Sequence, residues 1–123
     1  MASHDRAAPV PSIEAAGDWF RKQFDAEASR GLRAVYEIEL TGESGGTLAL
    51  RVEDGRLDVA PGPAGASDLR LSLAIGDFFA ILAGRANADM LFMEDRIGWS
   101  GDLSLALKMR RLFRGQPEEP SAT

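Results

Sequence analysis

The last hydrophobic segment of the chain, GDLSLALKMRRLF at residues 101–113, predicts a helix with an unusually wide apolar surface. Asp102 is a suitable N-cap, because its carboxylate can accept hydrogen bonds from the unpaired N–H groups of the first turn. On a helical wheel the apolar side chains span roughly 220°, interrupted only by Arg110, whereas ~100° is enough for a helix that packs on one surface. One sheet face cannot cover that arc, so we expect part of it to line a cavity or to seal a dimer.

Two segments of alternating apolar and polar residues predict a β-hairpin at 34–41 and 47–53, joined by the sequence GESGG. The alternation predicts the pairs Leu40 with Leu48, Ile38 with Leu50, and Tyr36 with Val52, with Glu37 opposite Arg51. Asp54-Gly55 then predicts a second, type I′ turn, because both positions of that turn need a positive φ. This turn predicts the pairs Val52 with Leu57, Leu50 with Val59, Arg51 with Asp58, and Glu53 with Arg56.

The remaining pattern predicts helices around these strands. Ser12 is expected to cap a helix over 13–29, Asp77 a short helix ending at Gly84, and Asn87 another through about residue 94. Segments 68–73 and 95–101 predict a fourth and a fifth strand. The fold class predicted is therefore α+β: a five-stranded sheet with one apolar face and helices packed on that face. We expect one domain over 12–114, with flexible tails at 1–11 and 115–123.

Composition narrows the possible functions. The chain has 123 residues and a formal net charge of −5, which argues against nucleic acid as a partner because phosphate binding needs a basic face. It has no cysteine, and none of its apolar runs reaches the ~18 residues of a membrane span. The N-terminal sequence MASHDRAAPVP also lacks the apolar region of a secretory signal. We therefore expect a cytoplasmic protein.

Residues suited to catalysis or metal binding are scarce. The single histidine, His4, lies in the expected N-terminal tail, and with no cysteine the chain offers almost no ligands for zinc or another soft metal. Most carboxylates are expected on the polar sheet face or at helix starts, and Glu94-Asp95 is more typical of a solvated turn than of a catalytic pair. We expect no enzymatic activity, no metal site and no cofactor.

The last third of the chain carries soft apolar residues, among them Met90, Met93, Met109 and Phe92. Methionine is flexible and polarisable, which suits a surface that adapts to varied apolar partners. Such residues are also common in an ordinary core. Trp99 is expected at the sheet–helix junction, where its emission would report a bound ligand.

Residues 13–114, and above all 68–113, resemble the sterol carrier protein type-2 domain. The similarity rests on a strand of alternating leucines, the sequence FFAILAG, a segment beginning at Asn87, a short Gly-containing strand and the sequence GDLSLALK. The resemblance implies a five-stranded, mostly antiparallel sheet with helices packed on one face and enclosing an apolar cavity. This tunnel would take a fatty acid, acyl-CoA, an isoprenoid lipid or a sterol. By position it implies a tunnel lined by Phe79, Leu82, Met90, Met93, Leu103, Leu107 and Met109.

The function expected from both lines of reasoning is non-catalytic binding and intracellular carriage of a hydrophobic ligand by a monomer or weak dimer. Delivery would involve transient contact with an anionic membrane, through Lys108, Arg110, Arg111 and Arg114, or with a lipid-using enzyme. The alternative is a homodimeric or partner-binding module that uses the same apolar helices. The chain ends in PSAT and not in the Ser-Lys-Leu peroxisomal signal.

Overall fold

The computed structural model describes residues 12–113, which form a five-stranded sheet with helices. In chain order the elements are α1 (Ile13–Gln23), a 3₁₀ turn (Glu27–Ser29), β1 (Arg33–Thr41), β2 (Gly46–Glu53), β3 (Arg56–Pro61), β4 (Leu69–Ala74), α2 (Ile75–Leu82), α3 (Ala88–Met93), β5 (Gly98–Gly101) and α4 (Ser104–Leu112). The strand order is β3-β2-β1-β4-β5. Only β1 and β4 pair in parallel, so the predicted α+β fold with a mostly antiparallel sheet is confirmed. The predicted tails at 1–11, with His4, and at 115–123 lie outside the described residues, and so does Arg114 at the end of the predicted domain.

The register predicted between β1 and β2 is wrong by two residues. Leu40 lies opposite Gly46 and not opposite Leu48. The reason is a tighter turn, in which the N–H of Gly45 donates to the carbonyl of Gly42 at 3.1 Å. A Cβ on Gly45 would lie 2.0 Å from the carbonyl oxygen of Leu40, so only glycine fits this turn. Since side chains alternate with a period of two, the shift leaves every residue on its predicted face.

In the corrected register Glu37 lies opposite Ala49 on β2, and not opposite Arg51 as predicted. On its other side it lies opposite Arg70 of β4. Its carboxylate lies 3.3 Å from the side chain of Arg70 on β4 and accepts a hydrogen bond from the backbone N–H of Ala64 at 3.0 Å. The loop that carries Ala64 covers this part of the second sheet face, and Glu37 is therefore buried. Both contacts are structural: the ion pair joins β1 to β4, and the hydrogen bond from Ala64 attaches the β3–β4 loop to the sheet.

The turn predicted at Asp54-Gly55 is confirmed. Both residues have a positive φ, 44° and 89°, as a type I′ turn requires. The turn sets the β2–β3 register as predicted, with the pairs Leu50 with Val59, Arg51 with Asp58, Val52 with Leu57, and Glu53 with Arg56.

The first helix is shorter than the predicted span 13–29. Ser12 caps it as predicted, accepting a hydrogen bond from the N–H of Ala15 at 3.1 Å. The helix ends at Gln23, and the next residue, Phe24, is extended and pairs with Phe113 beyond α4. This pairing joins the end of α1 to the end of α4. The two segments are far apart in the sequence, so a local pattern does not reveal their contact.

The other helix boundaries differ from the predictions by at most three residues. Asp77 does not cap α2, which begins at Ile75; its carboxylate instead accepts a hydrogen bond from Arg96 at 2.7 Å. Asn87 does cap α3, through the N–H of Asp89 at 2.8 Å. The Asp102 carboxylate accepts a hydrogen bond at 3.0 Å from the N–H of Ser104, where α4 begins. Asp102 thus accepts a hydrogen bond from the first residue of α4 while lying two residues before the helix.

Tyr36 connects the centre of the sheet to the last helix. It is fully buried on β1, and its hydroxyl donates a hydrogen bond to the backbone carbonyl of Leu105 at 3.1 Å. Burial, with smaller contributions from the negative charges of Asp102 and Asp68, raises the pKa of Tyr36 to about 12. The neutral hydroxyl is therefore the form that the folded protein accommodates.

We expect Tyr36→Phe to lower the free energy of unfolding by ~1 kcal/mol at neutral pH, because the Leu105 carbonyl loses its side-chain partner. Alkaline pH gives a second readout. Above pH 10 the unfolded chain loses the tyrosine proton while the folded chain keeps it up to about pH 12, so the stability of the parent protein falls across that window. Urea titrations at several pH values should show a shallower fall for Tyr36→Phe. Equal slopes in the two proteins would contradict the assignment.

Candidate functional site

The last helix divides its wide apolar surface between two environments. Leu105 and Leu112 are buried in the core. Ala106, Leu107 and Met109, on the other part of the arc, line a cavity of about 590 Å³. This division accounts for the width of the apolar arc, because only half of it packs against the protein. The volume falls within the ~300–1,000 Å³ of typical small-molecule sites.

The cavity lies between the sheet and the helices, and every helix contributes to it. Ile38, Leu71 and Leu73 form the part contributed by the sheet. The helices and their flanking loops contribute Trp19, Phe20, Phe78, Ile81, Leu82, Ala88, Asp89, Phe92, Met93, Ile97, Leu103, Ser104, Ala106, Leu107, Met109, Arg110 and Phe113. Nearly all of these side chains are hydrophobic, so the cavity is suited to an apolar molecule.

The structure brings together most of the residues that the sequence suggested for the tunnel. Those that line the cavity are Leu82, Met93, Leu103, Leu107 and Met109. Phe79 and Met90 do not line it: Phe79 packs against the core from the next position along α2, and Met90 is exposed. The neighbouring Phe78 takes the place on the lining that was expected for Phe79.

The contribution of α1 to the cavity lining was not predicted. Trp19 and Phe20 line the cavity and belong to an aromatic cluster, in which the Phe20 and Phe113 rings lie 5.0 Å apart edge to face. The available signal was that Trp19 lies off the apolar stripe of its helix. Trp99, which was expected to report a ligand, is 48% exposed and lies outside the lining.

The cavity opens to solvent between α3 and α4. Met93 and Leu107 both line it, yet they are 83% and 66% exposed. Leu103 lies at the same opening and Met90 just outside it, and both are also exposed. We call Met90, Met93, Leu103 and Leu107 the apolar rim. Exposed apolar groups at the edge of an apolar cavity favour an apolar partner or ligand over water.

Among the described residues, the lining includes only two charged side chains, Asp89 at the start of α3 and Arg110 near the end of α4. They form an ion pair across the opening. The third polar residue of the lining, Ser104, donates its hydroxyl to the carboxylate of Asp102 at 2.6 Å. That bond and the one from the Ser104 N–H hold the pKa of Asp102 below its usual value.

Residues 12–113 contain no group of three or more His, Cys, Asp or Glu side chains arranged to hold a metal ion. In the same part of the chain no helix is long and apolar enough to cross a bilayer. The geometry thus offers an apolar chamber with a single charged pair at its opening. This arrangement is suited to binding an apolar molecule through complementary shape and burial of its apolar surface.

A model of the SCP-2 sterol transfer family matches residues 18–114 of this chain. The chain belongs to this family. The SCP-2 match covers every strand and all helices of the fold except the first turns of α1, so the cavity lies within the family's shared region.

Individual relatives agree with this assignment. Hydroxysteroid dehydrogenase-like protein 2 of Rattus norvegicus is 33% identical over 109 residues, which cover 85% of this chain and 21% of the relative. The chain thus spans about a fifth of that curated relative. The sterol carrier protein domain 2 of Helicoverpa armigera has a TM-score of 0.67 at 17% identity, over 85% of this chain and 90% of that one. Palmitated SCP2L2 of Aedes aegypti has a TM-score of 0.61 at 18% identity, over 83% and 97% of the two chains.

We expect Trp19, and not Trp99, to report a molecule that enters the cavity. Trp19 lines the cavity, whereas Trp99 lies outside the lining on the short strand β5. A titration with hexadecanoic acid should change the tryptophan emission of Trp99→Phe as much as that of the parent. It should change the emission of Trp19→Phe little. A response that disappears with Trp99 and survives without Trp19 would place the ligand elsewhere.

Proposed function

We propose that this SCP-2 domain binds one hydrophobic lipid in its cavity and carries it through the cytoplasm without chemical change. The observation that supports this most directly is the opening: apolar residues of α3 and α4 both line the cavity and face solvent. The palmitated state of the structurally similar Aedes aegypti protein agrees with it. The ligand class is a fatty acid, acyl-CoA, an isoprenoid lipid or a sterol, and the proposal requires no metal or cofactor.

Buried methylenes supply the binding free energy in this proposal. Each CH₂ removed from water contributes ~0.8 kcal/mol, and ordering the chain and the protein offsets part of that. A ligand that buries about a dozen methylenes can therefore reach about −8 kcal/mol, which corresponds to a micromolar Kd.

Enlarging a cavity-lining residue of α4 tests the proposal. Leu107→Trp and Met109→Trp place a bulky ring where the lipid would lie, so we expect most hexadecanoic acid binding to be lost in at least one of them. The unfolding midpoint of the delipidated variant should not fall, because the ring enters open space. Delipidated protein is essential, since a bound ligand itself raises apparent stability.

The matched control is Leu105→Trp, on the same helix but buried in the core and outside the cavity lining. Overpacking there should cost ~1–3 kcal/mol of stability. If all three variants lose stability and the two cavity variants still bind hexadecanoic acid like the parent, the opening is ordinary packing and the proposed site is wrong.

We further propose that the domain delivers its lipid by docking the apolar rim on an anionic membrane. Lys108 and Arg111 are exposed on α4, next to Leu107 of the rim. Cations beside exposed apolar groups suit a surface of anionic lipid, which attracts each Lys or Arg by ~1 kcal/mol. Arg114, expected to join this cluster, lies outside the described residues.

Charge reversal tests the docking. We expect Lys108→Glu with Arg111→Glu to slow transfer of a fluorescent fatty acid to vesicles that contain phosphatidylserine, with the difference fading at high salt. Affinity for the fatty acid should not change. The matched control is Arg56→Glu, on β3, which contributes nothing to the cavity lining. Equal transfer rates for the double variant and this control at low salt would contradict docking through α4.

The exposed apolar rim also favours a second candidate, a homodimeric or partner-binding module that covers the rim with protein. Native mass spectrometry of the purified protein separates the two. One lipid per monomer supports the carrier, whereas a tight dimer without lipid supports the interaction module.

A further inference from the structure

Arg110 occupies an unexpected position on α4. It interrupts the apolar arc of the helix, and it lines the cavity among hydrophobic residues of the same helix, Leu107 and Met109. Beside an apolar cavity, part of a charged side chain loses water, and a charged partner offsets that cost. In this structure the partner of Arg110 is Asp89 of α3.

The ion pair with Asp89 is easily exchanged. Both side chains are more than half exposed, and exposed ion pairs contribute little net stability because water and salt compete for the same groups. A guanidinium binds a carboxylate with two parallel hydrogen bonds, and the carboxylate of a ligand offers the same geometry as that of Asp89.

The surrounding charge favours an anion at this place. Lys108 and Arg111 lie within one turn of Arg110 on α4, and among the described residues Asp89 is the only carboxylate of the cavity lining. Among the described residues, Arg111 makes no ion pair. A negatively charged group at the opening is therefore attracted by this end of the helix, although the protein as a whole is acidic.

We propose that Arg110 binds the ionised carboxylate of a single-chain lipid, so that the site prefers a free fatty acid to an uncharged lipid with the same chain. This inference rests on the proposed function and adds its chemical selectivity. The carboxylate takes the place of Asp89 on the guanidinium, and the hydrocarbon chain occupies the apolar part of the cavity. Arg110 is then the residue that determines specificity, while the rest of the lining supplies affinity.

The test compares hexadecanoic acid with its methyl ester, which has the same chain and no charge. Both compete with Nile red, an uncharged fluorescent probe, for the delipidated full chain at pH 8. We expect Arg110→Gln to reduce the preference for the acid over the ester by about fivefold, because it weakens acid binding far more than ester binding. The reduction should shrink at high salt. Asp89→Asn should strengthen acid binding about twofold, because it removes the competing carboxylate.

Arg111→Gln is the matched control, since it removes one cation from the same helix at a residue outside the cavity lining. It should change the preference for the acid far less than Arg110→Gln does. Arg110→Lys gives an independent variant that keeps the charge and loses the planar two-bond geometry, and its preference should be intermediate. Circular dichroism and the unfolding midpoint establish that each variant is folded.

Three results would overturn the inference. Equal effects of Arg110→Gln and Arg111→Gln would show that only the long-range field matters. An equal loss of acid and ester binding in Arg110→Gln would show that the pair with Asp89 merely holds α3 against α4. Failure of both compounds to displace Nile red from the parent protein would instead contradict the proposed lipid binding itself, and the selectivity with it.

Discussion

The hydrogen bond from Tyr36 to the carbonyl of Leu105 fixes the last helix against the centre of the sheet. The shape of the cavity depends on that attachment. Leu105 and Leu112 pack into the core on one side of α4, so the opposite side is held at a distance from the sheet that the protein's own side chains do not fill. A helix with a narrower apolar stripe could have been attached in the same way, but it would have presented polar residues to that space.

The alternation of apolar residues was enough to predict the sheet, because the period of two determines which residues face inward regardless of the exact pairing. The Asp54-Gly55 turn also determined the register of its hairpin, since few residue pairs adopt its backbone angles. The sequence GESGG did not determine the register of the hairpin formed by β1 and β2. Its glycines permit several loop lengths, and the one adopted depends on how closely Gly45 can approach Leu40. The ion pair of Glu37 with Arg70 could not be predicted for another reason: it depends on the parallel pairing of β1 with β4, which local alternation does not reveal.

The candidate site was predictable in part. Helical periodicity identified α4 as too apolar for one surface, and the resemblance to the SCP-2 family pointed to α2 and α3. Which of two adjacent residues faces the cavity depends on the rotation of a short helix, and a change of one residue turns the side chain by about 100°. That explains why Phe78 and not Phe79 lies on the lining. Strand residues such as Leu71 show no distinguishing signal, because a cavity and a core require the same side chain there.

The short helix α3 has a consequence for the rate at which the chamber exchanges its contents. It has six residues, and only Leu91 among them is buried. Segments with so few buried contacts open locally at a small fraction of the free energy of global unfolding. Since α3 borders the opening, its local opening would control how fast a molecule enters and leaves the proposed carrier. Because α3 also contributes to the lining, the exchange rate and the affinity would depend on overlapping but different sets of residues.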